Sequence, residues 1–192
     1  MAELAGLPAT ACGDALRATI EVRRRRLRRL RIAAAAAIAA VPCAATVAVS
    51  PPPLLLWNAS GSTPRGLYRV FPGARIDRGD SAIASLREPY RTLAARRGYL
   101  PPGVPLVKRV AAIGGDRICA RGATISIDGK TAAVRKGLDA RGRTLPAWSG
   151  CVDLRAGEYL LLGDSPWSFD GRYLGPTRRP EIIGRAVLLW RV

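Results

Sequence analysis

Ser62 and Lys108 are the two side chains that offer hydrolytic chemistry in a chain of 192 residues without any histidine. A serine hydroxyl is a weak nucleophile until a neighbouring base takes its proton. Histidine is the commonest such base, and its absence excludes every triad built on it. A lysine can serve instead when burial keeps its amine neutral near pH 7. The residue types therefore favour Ser62 and Lys108 as a nucleophile and its base.

The segment around Lys108 predicts a strand that buries the amine. Period-two alternation puts Lys108 on the same strand face as Leu106 and Val110, which are apolar. Burial lowers the pKa of an ammonium group, in documented proteins from about 10.4 to about 5 to 6. The alternative is an edge strand with Lys108 in solvent, where the amine keeps its charge.

Ser62 lies in a segment rich in Gly and Pro that runs from Asn58 to Tyr68 and leads into a predicted strand. A turn of this kind holds a hydroxyl exposed and points backbone N–H groups at one place. The same composition is typical of a linker that leaves a membrane, so the segment by itself leaves both interpretations open.

A third polar segment, from Gly163 to Pro176, contains Ser168, Asp170 and Arg172. Asp170 and Arg172 are two residues apart and predict a fixed ion pair. Ser168 is a candidate to hydrogen-bond the lysine amine and orient it. Alone, this segment is only a polar loop.

Together, these three segments resemble the signal peptidase I family. Its serine box is Ser-x-Ser followed closely by Pro, its lysine box is Lys-Arg-x-x-x-x-x-Gly-Asp, and its last box is Gly-Asp followed by Ser-x-Asp-x-Arg-Tyr. The matching residues, in the family's order, are Ser60-Gly61-Ser62, Lys108-Arg109 with Gly115-Asp116, and Gly163-Asp164 with Ser168-Phe169-Asp170-Gly171-Arg172-Tyr173. The chain departs from the family at Gly171, where the last box often has Ser.

Within the family, the spacing of Asn58, Ser60, Ser62, Pro64 and Gly66 is similar to that of the conjugative-transfer (TraF-type) signal peptidases. These are compact enzymes with one N-terminal anchor that process the pilin precursors of plasmid transfer systems. The resemblance implies a protein substrate of this kind, with small residues in an Ala-x-Ala-like site before the cut. It implies neither a cofactor nor a metal.

The resemblance also implies a role for each matched residue. Ser62 is the expected nucleophile and Lys108 the general base and then acid, with the Ser62 backbone N–H and the Ser60 hydroxyl as the oxyanion hole. Ser168 is expected to orient Lys108. The residues expected to support the site are Asp170 and Arg172, which hold the loop, and Asp116 and Asp164, which have structural roles.

The elements that must position these residues are mainly strands. After Trp57, short apolar runs alternate with Gly, Pro and Asp, which is typical of a mainly β domain. The predicted strands are 67–71, 81–86, 106–113, 124–127, 131–134, 159–162 and 186–192. Asp128-Gly129 predicts a hairpin turn, residues 88–97 a short helix, and residues 136–150 a loop.

The N-terminal third predicts a membrane anchor. Residues 1–31 are basic, with seven arginines between Arg23 and Arg31, and no charged residue follows from Ile32 to Val49. Basic residues stay on the cytoplasmic side, so we expect a cytoplasmic segment 1–31, a transmembrane anchor 32–57 and a periplasmic catalytic domain 58–192. A cleaved signal peptide or a buried helix rich in alanine are the alternatives. The expected location is the inner membrane, crossed once.

The formal net charge of +17 does not by itself indicate nucleic-acid binding. Only three of the basic residues are lysines, and the arginines accompany heavy use of Ala, Gly and Pro, which indicates a compositional habit. No nucleic-acid partner is therefore expected; the expected partners are the membrane and a protein substrate.

The four cysteines, at positions 12, 43, 119 and 151, have no paired spacing of the kind that holds zinc. Export would make Cys119 and Cys151 candidates for a disulfide, because disulfides persist outside the cytoplasm. Two unpaired buried thiols are the alternative.

Three other functions remain open at this point. A housekeeping type I signal peptidase uses the same chemistry on many precursors but usually carries longer insertions. Self-cleaving repressors also use Ser and Lys, but they act in the cytosol and have no anchor before the serine. The third is a basic, membrane-anchored component of a transfer apparatus without enzymatic activity.

Overall fold

The computed structural model describes Ile20 and residues 23–40 and 52–192, and the chain divides into two units after Pro51. In the first unit, residues 23–40 form a helix, α1, that contains the arginine block. None of the described helices combines the length and the apolar character that a membrane span needs. The predicted anchor includes residues 41–51, which lie outside the described residues.

Strands dominate the second unit, Pro52–Val192, and this confirms the predicted mainly β class. Its strands are β1 Leu55–Asn58, β2 Gly66–Pro72, β3 Ser81–Ala84, β4 Leu106–Ala112, β5 Arg117–Arg121, β6 Thr124–Ile127, β7 Lys130–Val134, β8 Gly150–Asp153, β9 Glu158–Leu162, β10 Thr177–Arg178 and β11 Ile182–Arg191. Its helices are α2 Tyr90–Arg97, α3 Gly171–Leu174 and a 3-10 turn Arg179–Glu181.

The strands form two antiparallel sheets. The larger has the order β1-β2-β11-β3-β4-β9-β10, and the smaller has the order β7-β6-β5-β8. The ten-residue strand β11 lies between β2 and β3, so the last segment of the chain joins the serine side of the sheet to the lysine side. The lysine strand β4 lies between β3 and β9.

Each of the seven predicted strand segments falls on an observed strand, because short apolar runs bounded by turn residues are typical of strands. The predicted turn at Asp128-Gly129 joins β6 to β7, and both residues have positive φ, as a two-residue hairpin turn requires. The predicted helix is α2, which begins at Tyr90.

Four strands, β1, β5, β8 and β10, were not predicted from the sequence. Strand β5 carries arginines at both ends, and β8 and β10 are only four and two residues long. Strand β1 begins with three apolar residues, Leu55 to Trp57, which the prediction assigned to the end of the anchor. In the structure Leu55, Leu56 and Trp57 pair with β2, so the sheet domain begins before residue 58.

The apolar core of the second unit supports the lysine strand on both sides. On one side, Ala82, Ala84, Val110 and Leu161 belong to a buried cluster shared by β3, β4 and β9. On another, Val107 packs in a cluster with residues of β2 and β11. Because β4 is held by neighbouring strands and by these clusters, the position of Lys108 is set by the core of the domain.

Candidate active site

Lys108 is buried, with 3% of its surface exposed, and its amine donates a hydrogen bond to the Ser62 hydroxyl. Burial lowers the pKa of Lys108 from 10.5 to about 8; the nearby Asp170 and Asp164 carboxylates act in the opposite direction and Arg172 adds to the lowering. The alternative of an edge-strand lysine in solvent is therefore excluded. The amine is neutral in a substantial fraction of molecules slightly above neutral pH.

Ser62 lies in the connection between β1 and β2, which we call the nucleophile segment (residues 59–65). The antiparallel pair of Asn58 and Gly66 closes this segment at its base. On its far side, the backbone N–H of Asp164 donates to the Ser62 carbonyl over 2.7 Å. The half-buried Ser62 is thus fixed between a strand pair and the loop of the third motif, which is inconsistent with a free linker.

Ser60 lies beside Ser62. Its hydroxyl oxygen is 3.0 Å from the Ser62 hydroxyl oxygen and 3.0 Å from Oδ1 of Asn58. Tyr68 supports the segment from β2, because its buried hydroxyl donates to the Pro64 carbonyl over 2.8 Å. Two hydroxyls are therefore held next to each other at the mouth of the site.

Asp170 and Arg172 form the predicted ion pair, with 2.8 Å between Arg172 Nε and Asp170 Oδ1. Both are almost fully buried. The free carboxylate oxygen of Asp170 accepts from the N–H of Gly163, and Arg172 Nη2 donates to the carbonyl of the same residue. The pair thus holds the N–H and the carbonyl of Gly163. The next residue, Asp164, contacts Ser62.

Ser168 lies in the same cavity, buried at 3% exposure, but its hydroxyl has no hydrogen-bond partner in the described part of the chain. The expected hydrogen bond to Lys108 is therefore not formed in this structure. The loop brings the Ser168 hydroxyl against Gly163, where a Cβ would lie 2.3 Å from it.

Gly171, where the chain departs from the family pattern, lies close to the backbone of β9. A Cβ at this position would lie 2.7 Å from the Leu161 carbonyl oxygen of β9. Helix α3 begins here, capped by the Asp170 side chain, which accepts from the Arg172 N–H. The absence of a side chain lets α3 approach β9 closely.

A cavity of about 480 Å³ opens beside Ser62 and Lys108, and its lining is mainly apolar. Aromatic side chains form much of its wall: Tyr99 and Phe169 have ring centres 5.0 Å apart, and Phe169 and Tyr173 stack at 6.0 Å. The loop predicted over 136–150 contributes Asp139 and Leu145. A cavity of this size accommodates small side chains of an extended peptide.

Sequence reasoning missed this wall. Asp139 is held by the side chains of Tyr99 and Arg143, and these hydrogen bonds keep the pKa of the Asp139 carboxyl low although burial opposes the shift. Nothing in the local pattern of a polar loop indicated that it folds over the site, because the contact joins residues about forty positions apart.

Asp116 and Asp164 have the structural roles that were expected. Asp164 contacts Arg109, and Asp116 contacts Arg78 and accepts from the Ile113 N–H. No group of three or more metal-binding side chains occurs within residues 23–40 and 52–192.

Cys119 and Cys151 form a disulfide between β5 and β8, where the two residues face each other in register. The alternative of two free thiols is thereby excluded. Cys12 and Cys43 lie outside the described residues.

Comparison with known proteins agrees with this site. The family model "Signal peptidase, peptidase S26" matches residues 27–191. A plasmid transfer protein TraF of Escherichia coli is 31% identical over 150 residues, which cover 71% of this chain and 77% of that protein. A second E. coli plasmid transfer protein TraF is 29% identical over 148 residues, covering 71% and 76%.

Among solved structures, a signal peptidase I from Enterococcus faecalis matches 58% of this chain and 97% of its own, with 20% identity and a TM-score of 0.34. The family model spans most of the chain and all three motifs. The chain therefore belongs to the signal peptidase family, peptidase S26, has a TraF-like sequence, and is a serine-type peptidase.

Proposed function

We propose that this signal peptidase cuts exported precursors, among them the pilin precursor of a conjugative transfer system, through an acyl-enzyme formed by Ser62 with Lys108 as base. The observation that carries the proposal is the contact between the buried Lys108 amine and the Ser62 hydroxyl. At this contact distance a neutral amine can accept the proton of the Ser62 hydroxyl through its lone pair.

In the first half of the reaction, Lys108 takes the Ser62 proton while the Ser62 oxygen attacks the scissile carbonyl carbon. Negative charge develops on the carbonyl oxygen, and the Ser62 N–H and the Ser60 hydroxyl are the donors proposed to bind it. Donors of this type contribute about 3 to 4 kcal/mol each to the stabilisation of the transition state. Lys108 then gives its proton to the leaving amine, and the C–N bond breaks.

In the second half, the acyl group remains on Ser62 as an ester and Lys108 is again neutral. Lys108 removes a proton from an incoming water, whose oxygen attacks the ester carbonyl. The C–O bond to Ser62 breaks, and the Ser62 oxygen takes the proton back. The cycle consumes one water and regenerates both residues.

The proposed substrate class is supported by similarity to proteins named plasmid transfer protein TraF. The mainly apolar cavity beside Ser62 and Lys108 supports binding of a peptide, and the preference for small residues before the cut follows from the resemblance to signal peptidases. We therefore propose an Ala-x-Ala-like cleavage site.

A strip of exposed side chains supports location at a membrane. On one face of the larger sheet, Leu55 and Val187 lie on either side of the exposed Arg69 of β2, and Trp57 and Trp190 lie on either side of Leu67. We call Leu55, Trp57, Val187 and Trp190 the apolar strip; these four residues are 41% to 70% exposed. Exposed aromatic and aliphatic residues in one patch are typical of surfaces that contact membranes or partners. We propose that the protein is anchored in the inner membrane with this domain outside.

The test is co-expression of the full chain with candidate pilin-type precursors, followed by mass analysis of the product ends. We expect the wild type to release a defined N-terminus and Ser62→Ala to leave the precursor intact. Ser149→Ala, a change at an exposed serine in the loop before β8, is the matched control and should cleave normally. Processing by Ser62→Ala at the wild-type rate would refute the acyl-enzyme.

A further inference from the structure

Asn58 is a buried polar residue directly before the nucleophile segment, and it is the only asparagine in a chain that also lacks glutamine. A buried amide is costly unless its donors and acceptor find partners. The Asn58 amide is fully partnered. Its Oδ1 accepts from the Ser60 N–H and lies 3.0 Å from the Ser60 hydroxyl, and its Nδ2 has acceptors at Thr63 Oγ1 and the Pro64 carbonyl, each at 3.0 Å.

The Asn58 amide contacts the chain on both sides of Ser62. Its oxygen holds Ser60, and its nitrogen reaches the Ser60 carbonyl at 3.1 Å as well as Thr63 and Pro64, which follow Ser62. The turn from Asn58 to Pro64 is thereby closed around one side chain. Rotation of the Ser62 backbone would break contacts on both sides of the Asn58 amide.

Thr63 connects this ring to the lysine strand. Its buried hydroxyl receives a hydrogen bond from Asn58 Nδ2 and donates one to the carbonyl of Val107 over 3.3 Å. Val107 is the neighbour of Lys108 in β4. The chain of contacts Asn58, Thr63, Val107 therefore joins the segment that carries the nucleophile to the strand that carries the base.

We propose that Asn58 and Thr63 are positioning residues that hold the nucleophile segment against β4 and so set the distance from the Ser62 hydroxyl to the Lys108 amine. The role assigned to Lys108 rests on the proposed acyl-enzyme function, but the positioning itself does not. The Asp164 N–H holds the Ser62 carbonyl from the opposite side.

The same contacts determine the acceptor to which the Ser60 hydroxyl donates its proton. Its single hydroxyl proton has two neighbouring acceptors, Asn58 Oδ1 and Ser62 Oγ, both at 3.0 Å. With the proton directed to Asn58, the Ser60 hydroxyl keeps a partner for its proton until a substrate carbonyl oxygen replaces Asn58 Oδ1 as the acceptor. Asn58 thus fixes where the Ser60 hydroxyl rests before a substrate carbonyl arrives.

The first measurement needs no substrate. In the full chain in detergent micelles, Asn58 is the source of the only side-chain carboxamide signal in a nitrogen-15 spectrum. We expect its protons to exchange with water about 30-fold more slowly than those of a free asparagine, the factor for two net hydrogen bonds. Thr63→Val, which keeps the shape and removes the hydroxyl, should shift this signal and speed its exchange.

The second measurement follows Lys108 itself. Carbon-13 labelling of the three lysines, with Lys130→Arg and Lys136→Arg for assignment, gives the pKa of Lys108 directly. Loosening of the nucleophile segment admits water, so Thr63→Val and Asn58→Ala should move the pKa of Lys108 upward from about 8. Asp164, Asp170 and Arg172, the charged groups that act on Lys108, are unchanged in both variants.

The third measurement is turnover of an internally quenched peptide with Ala-x-Ala before the scissile bond. We expect Asn58→Ala and Thr63→Val to lower kcat by about 100-fold, the scale of a 1 Å misplacement, with little change in KM. Thr63→Ser should recover most of the rate because it restores the hydroxyl. Thr131→Val, at an exposed threonine of β7, is the matched control.

These measurements separate the inference from the proposed function. If Ser62→Ala leaves precursors cleaved, the acyl-enzyme is wrong, whereas the Asn58 exchange and the Lys108 pKa still report on the positioning contacts. If Asn58 exchanges like a free amide, or if Thr63→Val leaves the Asn58 signal, the Lys108 pKa and kcat unchanged, the positioning role is wrong. Near-ultraviolet circular dichroism identifies any variant that fails to fold. If Asn58→Ala fails to fold, Thr63→Val, which retains the side-chain volume, tests the positioning role alone.

Discussion

At the scale of single residues, the site depends on a lysine kept in an environment that opposes its charge. Lys108 lies on a strand between apolar neighbours and has a hydroxyl, not a carboxylate, as its hydrogen-bond partner. Burial therefore dominates over the attraction of Asp170 and Asp164, and the pKa of Lys108 falls to about 8. The same burial that makes the amine a base also makes it a cost to the fold.

The lowered pKa predicts a definite pH dependence of cleavage. The base form is the neutral amine, so kcat/KM should rise tenfold per pH unit below about 8 and level off above it. Peptide hydrolysis between pH 5 and pH 10 measures this profile. Lys108→Arg should be inactive throughout, because arginine stays charged. A rate independent of pH between 6 and 9 would contradict the role of Lys108 as base.

The cost of burial predicts that the inactive variant Lys108→Met is more stable than the wild type at neutral pH. In the folded chain the pKa of Lys108 is about 8, and in the unfolded chain it returns to the ordinary 10.5. The folded chain therefore binds the lysine proton more weakly than the unfolded chain does. Below pH 8 this difference lowers the free energy of unfolding by up to about 3 kcal/mol, and the loss of stability disappears as the pH rises past 10.5.

Urea unfolding of both proteins at pH 7 and pH 10 tests this difference. The stabilisation by Lys108→Met should be about 3 kcal/mol at pH 7 and fall to about 1 kcal/mol at pH 10. Equal differences at the two pH values would show that the amine is not desolvated.

At the scale of elements, the loop from Gly163 to Asp170 must pass within contact distance of the nucleophile segment. Gly163 permits this, since a Cβ there would lie 2.8 Å from the Ser62 carbonyl oxygen as well as against Ser168. The buried pair of Asp170 and Arg172 holds Gly163 on its other side, so the loop cannot move away from Ser62 without breaking these hydrogen bonds.

Gly163→Ala is therefore expected to displace the nucleophile segment. We predict a fall in kcat of about 100-fold and a loss of stability of about 1 to 3 kcal/mol from overpacking. Gly137→Ala is the matched control, because a Cβ at Gly137 meets no atom within 4 Å and its backbone is not in the left-handed region. Equal activity of the two variants would contradict the close approach of the loop to Ser62.

The disulfide of Cys119 and Cys151 acts on another element, the loop that forms part of the cavity wall. It encloses residues 120–150, which include Asp139 and Leu145. Replacement of both cysteines by serine, in a background without Cys12 and Cys43, should lower the free energy of unfolding by about 3 to 4 kcal/mol. We also expect KM to rise, because the wall is less constrained. Unfolding and peptide hydrolysis measure the two effects, and an unchanged unfolding midpoint would contradict the first.

At the scale of the whole molecule, the arrangement of sheets leaves the apolar strip on an open face next to the strand that leads into the active-site segment. We predict that this face enters the lipid headgroup region. In vesicles with brominated lipids, the tryptophan fluorescence of the full chain should be strongly quenched. Trp57→Phe with Trp190→Phe should lose most of that quenching, since only Trp148 and Trp167 then report. Undiminished quenching in the double variant would place the contact elsewhere.

The sequence by itself indicated the family and most of the secondary structure. The motifs around Ser62, Lys108 and Asp170 pointed to the signal peptidases before any geometry, and the family model confirms this assignment. Alternation along residues 106–113 placed Lys108 among apolar neighbours correctly. These inferences succeeded because residue type and periodicity are local properties. In a half-buried strand, alternate residues face the core and the solvent, so the pattern is visible in the sequence.

Only the tertiary structure decided which side chains meet. It joined Asn58 through Thr63 to Val107, folded the loop with Asp139 over the cavity, moved Leu55, Leu56 and Trp57 from the predicted anchor into β1, and left the Ser168 hydroxyl without the expected partner. Such contacts join residues far apart in the sequence: Ser62 and Lys108 are 46 positions apart, and Ser62 and Asp164 are 102 positions apart. They depend on strand order and register, and these follow from the packing of the whole core, which no local pattern encodes.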